Sequence, residues 1–233
     1  AEQPGQRIQT SVRQALQRQT QALVNRYARE YSSNHIYNLA AIVADVETGE
    51  VLAYAGNATY PADERRGNQV DIITSPRSTG SILKPFLYAG MLHDGLLLPS
   101  MLVSDVPLNI NGFSPHNYNK TFYGAVPAHV AIERSLNVPL VRMLSQYNTG
   151  RFMSLLKSWG MTTLRFSEEH YGASLILGGA EGTLWDLSGM YASMSRVLKH
   201  YRTYNGRYNP ADIHPLTPFP AERKEPIRSL TDS

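Results

Sequence analysis

A serine hydroxyl becomes a nucleophile only beside a base, and a lysine three residues later on one helix shares its face, close enough to take the proton. Ser-x-x-Lys supplies that pair, and this 233-residue chain contains it twice, as Ser81-Ile82-Leu83-Lys84 and Ser154-Leu155-Leu156-Lys157. Context separates the copies. Ser154 lies mid-helix within Phe152-Met153-Ser154-Leu155-Leu156-Lys157-Ser158-Trp159, where the ladder uses its amide and carbonyl, and it reads as an ordinary helix serine. Ser81 follows Thr79-Gly80 and is expected to open its helix, where unpaired N–H groups and the positive end of the dipole favour an alkoxide or oxyanion. The mostly apolar stretch after Lys84 predicts burial, which would lower the lysine pKa and let it act as a base.

Ser-x-Asn also occurs twice, as Ser32-Ser33-Asn34 and Ser135-Leu136-Asn137, and only the second follows Ser81. There the hydroxyl can relay a proton, and the amide can hold a substrate carbonyl or a lysine ammonium. Other chemistries lack their residues. Cysteine is absent, which removes thiol nucleophiles and thiolate metal sites, and the seven histidines include no pair at helical ligand spacing. Neither Gly-x-x-x-x-Gly-Lys-Ser/Thr nor Gly-x-Gly-x-x-Gly occurs, so neither a metal nor another cofactor is expected. With 22 Lys plus Arg against 19 Asp plus Glu, the net charge of +3 implies no nucleic-acid partner. No apolar run approaches the ~18–20 residues that cross a bilayer.

The elements that position these residues follow from periodicity. At 42% hydrophobic and 18% charged, the chain can build one large domain or two small ones. Ile8, Val12, Leu16, Leu23 and Tyr27 predict an amphipathic helix over residues 6–30, and residues 38–46 and 50–57 read as a hairpin around Glu47-Thr48-Gly49. A buried helix is expected from about Ser81 to Leu92, with Pro85 tolerated in its first turn. Residues 104–124 read as loop, then helices over 127–147, 150–159 and 183–201, then irregular proline-rich chain from Thr203.

Four phrases are more specific than any single motif: Arg77-Ser78-Thr79-Gly80-Ser81-Ile82-Leu83-Lys84-Pro85-Phe86, Asn117-Tyr118 through Gly124, Ser135-Leu136-Asn137-Val138-Pro139, and Leu175-Ile176-Leu177-Gly178-Gly179-Ala180. Together they resemble the transpeptidase domain of class A penicillin-binding proteins over about residues 38–201. The resemblance implies an α+β fold, an antiparallel sheet with flanking helices, truncated before the strand of the family's third motif. It divides the chain into an N-terminal helix and linker (1–37), a partial transpeptidase domain (38–201) and a proline-rich segment (202–233).

The activity implied is D,D-transpeptidation of peptidoglycan stem peptides. Ser81 would attack the D-Ala-D-Ala carbonyl, Lys84 would be its base, Ser135 would pass a proton to the leaving amine, and Asn137 would orient substrate and Lys84. β-Lactams would acylate Ser81. The third motif, Lys-Thr-Gly, is missing; Lys120-Thr121-Phe122 comes closest but precedes Ser135. The resemblance therefore predicts a further C-terminal segment of the same protein that carries Lys-Thr-Gly and covers the hairpin edge. It also places the protein on the periplasmic, extracytoplasmic side, anchored to the inner membrane through a segment outside this chain. Three alternatives stay open: a D,D-carboxypeptidase using the same site, a non-catalytic β-lactam sensor or peptidoglycan-binding module, and a β-lactamase-like hydrolase. Glu133-Arg134-Ser135-Leu136-Asn137 matches the hydrolase pattern Glu-x-x-Leu-Asn, but it overlaps Ser-x-Asn where that family's motif follows it.

Overall fold

The computed structural model describes residues 8–59, 64–110 and 112–220. Two compact units result: the first takes the chain up to Thr74 and again from Leu184, and the second is Ser75–Thr183. Helices and short antiparallel strand pairs make the class α+β, as the sequence led us to expect.

In the first unit α1 (Gln14–Tyr31) turns the small residues Thr20, Val24 and Ala28 inward, and Val24 and Ala28 pack on Ala55 and Ala58. Leu23, expected in the apolar stripe, is 48% exposed. The helix also starts later than its periodicity suggested; residues 6 and 7 of that expectation lie outside the described residues. The chain ahead of Gln14 is claimed by backbone pairing: Arg13 N–H donates to the Leu52 carbonyl at 2.9 Å, and Ser11 Oγ to that of Val51 at 2.8 Å.

The expected hairpin is present as β1 (Ala41–Ala44) and β2 (Val51–Ala55), with Asp45 Oδ1 accepting the N–H groups of Glu47 and Thr48 in its turn. A register irregularity between Val43 and Ala44 sets Ala44 opposite Val51 and leaves Leu52 unmatched. This bulge brings Val51 onto the same face as Tyr54, which plain alternation would forbid. The far edge of β2 is taken: Gln17 both donates to the Tyr54 carbonyl (2.9 Å) and accepts from its N–H (2.7 Å), and Val51 N–H bonds Thr217 O. Among the described residues no strand pairs with the far edge of β1.

The second unit runs through β3 (Arg77–Ser78), α2 (Lys84–His93), β4 (Leu102–Asp105), β5 (Gly124–Pro127), α3 (Ala128–Glu133), α4 (Asn137–Tyr147), α5 (Thr149–Ser158), α6 (Glu168–Tyr171) and β6 (Glu181–Gly182). Buried Phe86, Leu87 and Met91 make α2 the core helix, each contributing roughly 1.5–3 kcal/mol of burial. Phe86 meets Trp159 edge-on at 5.6 Å. Gly90 lets α2 approach its neighbours, since a Cβ there would lie 2.7 Å from Leu155 on α5 and 3.0 Å from the Tyr147 hydroxyl on α4. Two expectations need correction. The segment 104–124 is not all loop, because its ends belong to the antiparallel β4–β5 pair. The helix expected over 127–147 is two helices, broken at Ser135.

Back in the first unit, α7 (Leu184–His200) packs Ala192 with Val51 and Leu216. Its Arg196, 1% exposed, donates to the carbonyls of Val46, Asp212 and His214 and to Ser193 Oγ. The tail is irregular up to residue 220 apart from one turn at Pro210–Asp212, yet it is fastened to the unit by these bonds. Residues 221–233 of the expected irregular segment lie outside the described residues.

Candidate active site

The path to Ser81 is a short strand and a glycine crossing. β3 pairs with β6, Thr79 N–H donates to the Ala180 carbonyl at 3.0 Å, and Ser78 Oγ donates to Gly178 O at 2.8 Å. Gly178 has φ +101°, and a Cβ on it would sit 2.7 Å from Gly80 N. Only glycine permits that backbone approach.

Residues 81–83 form a tight turn, and α2 begins at Lys84, three residues later than expected. Pro85 is the reason: with no N–H it cannot bond the Ser81 carbonyl, which accepts from Lys84 N instead (3.1 Å), giving i→i+3 geometry. Ser81 is exposed, and among the described residues neither its hydroxyl nor its N–H has a hydrogen-bond partner.

Lys84 is 1% exposed. Its ammonium has three N–H groups and meets three acceptors: the Ser135 carbonyl at 2.8 Å, Ser135 Oγ at 3.1 Å and Asn137 Oδ1 at 2.7 Å. Burial pushes its pKa down to about 8. Roughly a quarter of such lysines are neutral at pH 7.5, so a base is at hand without a large unfavourable proton transfer.

Ser135 owes its place to the end of α3. Leu136 N–H donates to Ala131 O (2.9 Å) and Ser135 N–H to Ile132 O (3.0 Å), the two-bond ending that usually takes glycine at the position Ser135 holds. Ser135 is left-handed there, with φ +51°, at about 1–2 kcal/mol of backbone strain. The turn aims both its carbonyl and its hydroxyl at Lys84. Asn137, the first residue of α4, gives Oδ1 to Lys84 and donates one amide N–H to His116 O at 2.8 Å. Its second N–H is unspent and can meet a substrate carbonyl.

The structure thus brings Lys84, Ser135 and Asn137 together and leaves Ser81 exposed one turn before the lysine. The rival motifs fall elsewhere: Ser154 Oγ is tied to the Gly150 carbonyl at 3.0 Å, and Ser32 Oγ to that of Arg29 at 2.6 Å. Lys120, at φ +58°, is in an exposed turn. A cleft of about 450 Å³ lined by Ser78, Arg165, Phe166 and Gly178 runs beside β3 but takes in none of the four predicted site residues.

Two residues behind the site carry no motif signal. Asn117 Oδ1 accepts from the N–H groups of Asn137 (2.9 Å) and Val138 (3.3 Å), while its Nδ2 donates to Asp105 Oδ1 and Oδ2 (2.9 and 3.0 Å). Asp105 is fully buried and Asn117 3% exposed. Asn117 opens one of the four phrases, the one available hint; Asp105, alone in a presumed loop, gives none.

Comparison with known proteins places the chain in a family. Residues 39–183 match the family model "Penicillin binding protein transpeptidase domain". Penicillin-binding protein 1C of Escherichia coli is 34% identical over 190 residues, which is 82% of this chain and 24% of that protein. The chain therefore spans about a quarter of that relative's length. A peptidoglycan glycosyltransferase from Burkholderia ambifaria shares the fold at TM-score 0.71 and 20% identity, over 93% of this chain and 66% of that one. PonA1 of Mycobacterium tuberculosis in complex with penicillin V superposes at TM-score 0.62 and 19% identity, over 82% of this chain and 51% of that one. With over half its residues inside the family model and a third of the aligned positions shared with a class A relative, the chain belongs to the penicillin-binding-protein transpeptidase family.

Proposed function

We propose that this domain is a serine D,D-transpeptidase that cross-links peptidoglycan stem peptides and is acylated by β-lactams. The observation that carries the reading is the buried Lys84, its Nζ held on Ser135 and Asn137 one turn after an exposed serine. Neutral Lys84 takes the Ser81 hydroxyl proton as Oγ bonds the carbonyl carbon of the penultimate D-Ala. The developing oxyanion is met by the free Ser81 N–H in the turn that precedes α2. As the bond to the terminal D-Ala breaks, Ser135 Oγ passes a proton to the leaving amine and is resupplied from Lys84. A second stem's amine then attacks the ester, forming the cross-link and returning the proton to Ser81. Asn137 holds the donor carbonyl through its unspent N–H. Water in place of the acceptor amine gives the carboxypeptidase outcome, which a D-amino acid acceptor assay separates.

The substrate carboxylate and the other half of the oxyanion hole need a further strand. The reading assigns both to a Lys-Thr-Gly segment of the same protein. Stem peptides lie outside the cytoplasm, so the reading also places the domain on the periplasmic face of the inner membrane. Among the described residues no helix is long and apolar enough to span that membrane, and the anchor is assigned to another segment.

A fluorescent penicillin with mass-spectrometric mapping of the adduct tests the assignment. Wild type and Ser154→Ala should label on the peptide containing Ser81, and Ser81→Ala should not label. Equal labelling of Ser81→Ala would remove Ser81 as the nucleophile.

A further inference from the structure

The end of α4 that carries Asn137 is built in an unusual way. Its N-cap residue is Leu136, which has no side chain to accept the first N–H groups. The acceptor is Asn117 Oδ1, from a distant loop, and the Asn117 amide is itself oriented by its other end. Nδ2 can only donate, and it faces both oxygens of Asp105 and the Thr121 carbonyl at 2.9 Å. The Asp105 carboxylate also accepts from Tyr123 N–H at 3.0 Å. A fully buried carboxylate satisfied by neutral donors is costly to maintain, and a lone helix cap does not require one. What it adds is a fixed amide plane, and that plane fixes the backbone N–H of the residue that accepts from Lys84.

We propose that Asn117, seated on the buried Asp105 carboxylate, is a positioning residue for the active-site lysine: it locks Asn137, and through Asn137 Oδ1 it locks Lys84 Nζ. The inference rests on the role proposed for Lys84, and its test reads the lysine directly.

The Lys84 ammonium can be titrated by NMR of 13Cε-labelled lysine in the full chain, beside its rate of acylation by a fluorescent penicillin. The ionisable groups on the surrounding elements are Asp105 behind Asn117, Tyr123 beside Asp105, Tyr88 on α2, Glu133 and Arg134 at the end of α3, and His116, whose carbonyl holds Asn137. Asn117→Ala leaves all of them in place. It should remove one charge-assisted acceptor from the ammonium and lower the Lys84 midpoint by about one pH unit. Acylation should slow about ten-fold or more even though more of the lysine is neutral, because the base is misplaced. Asn117→Asp alone sets two carboxylates together and should fail in the same way. The exchanged pair Asn117→Asp with Asp105→Asn restores an acceptor for α4 and a donor between the two residues, and should recover most of the rate. A lower melting temperature with unchanged Lys84 midpoint and acylation would reduce Asn117 to a helix cap and overturn the proposal, as would an exchanged pair no better than Asn117→Asp. If wild type takes no penicillin while the midpoint still moves in Asn117→Ala, the proposed function fails and the positioning role stands.

Discussion

Gly178→Ala tests whether the crossing of Gly178 over Gly80 sets the position of Ser81, the proposed nucleophile. Alanine at 178 must adopt φ near +101°, and its Cβ would lie 2.7 Å from Gly80 N, 2.8 Å from Gly80 Cα and 2.8 Å from Ser78 Oγ. The left-handed backbone costs about 1–2 kcal/mol. Two of the three contacts are backbone atoms that cannot swing aside, and such overpacking costs a further ~1–3 kcal/mol. Gly160 separates the two effects, for it has φ +105° and nothing within 4 Å of its would-be Cβ. At roughly 3 °C per kcal/mol for a chain of this size, Gly160→Ala should lower Tm by about 3–6 °C and Gly178→Ala by about 6–15 °C. The sharper difference is functional. The wedge under Gly80 pushes directly on the residue before Ser81, and a displacement near 1 Å costs on the order of 10²-fold in rate. Thermal unfolding and stopped-flow acylation by a fluorescent penicillin give both quantities. If the two alanine variants lose equal Tm and both acylate at the wild-type rate, the crossing does not position Ser81.

Other outcomes follow from the charges. Burial holds Lys84 near 8 in the folded chain against its ordinary 10.5, so below pH 8 the folded state carries the full cost of a buried ammonium. Between about pH 8 and 10.5 the unfolded chain binds the extra proton, and wild type should gain roughly 3 kcal/mol relative to Lys84→Met in urea unfolding, a difference that a flat comparison would refute. His200 is raised above its usual value by hydrogen bonds to Asp212 and then Glu47, partly offset by burial. Its stabilisation should be complete below the unfolded value near 6.5 and lost as pH rises through the raised folded value. The excess Tm of wild type over His200→Gln should accordingly shrink from pH 5.5 to pH 8.5; a constant excess would count against the linkage.

Much of the site was legible because its residues are short-range pairs. Ser81 and Lys84 are one turn apart, Ser135 and Asn137 two residues apart, and their order along the chain picked copies of which Lys84, Ser135 and Asn137 meet in the structure. Long-range hydrogen bonds were not legible. Asp105 lay in a segment taken for loop, and its bond to Asn117 shows in no periodicity. The start of α2 was misplaced because the missing N–H of Pro85 shifts the first turn to i→i+3 bonding, an effect propensity alone does not register. α1 was overextended because residues 11–13 bond to β2, a tertiary demand that outweighs an apolar spacing. The break at Ser135 was hidden because the sequence puts a serine where such a turn normally announces itself with glycine.

Under the role proposed for Ser135, that serine sets the domain's heat tolerance and its chemistry against each other. α5 closes with the same two-bond turn as α3 but uses Gly160, so the chain contains both the relaxed and the strained version of one device. Ser135→Gly should relieve about 1 kcal/mol of strain, partly offset by glycine's extra freedom when unfolded, while deleting the hydroxyl that faces Lys84. A library selected only for survival at high temperature should therefore enrich Ser135→Gly and accumulate well-folded, inactive domains. One selected for penicillin acylation should purge it, and any gain in hardiness would have to arise at positions remote from this turn.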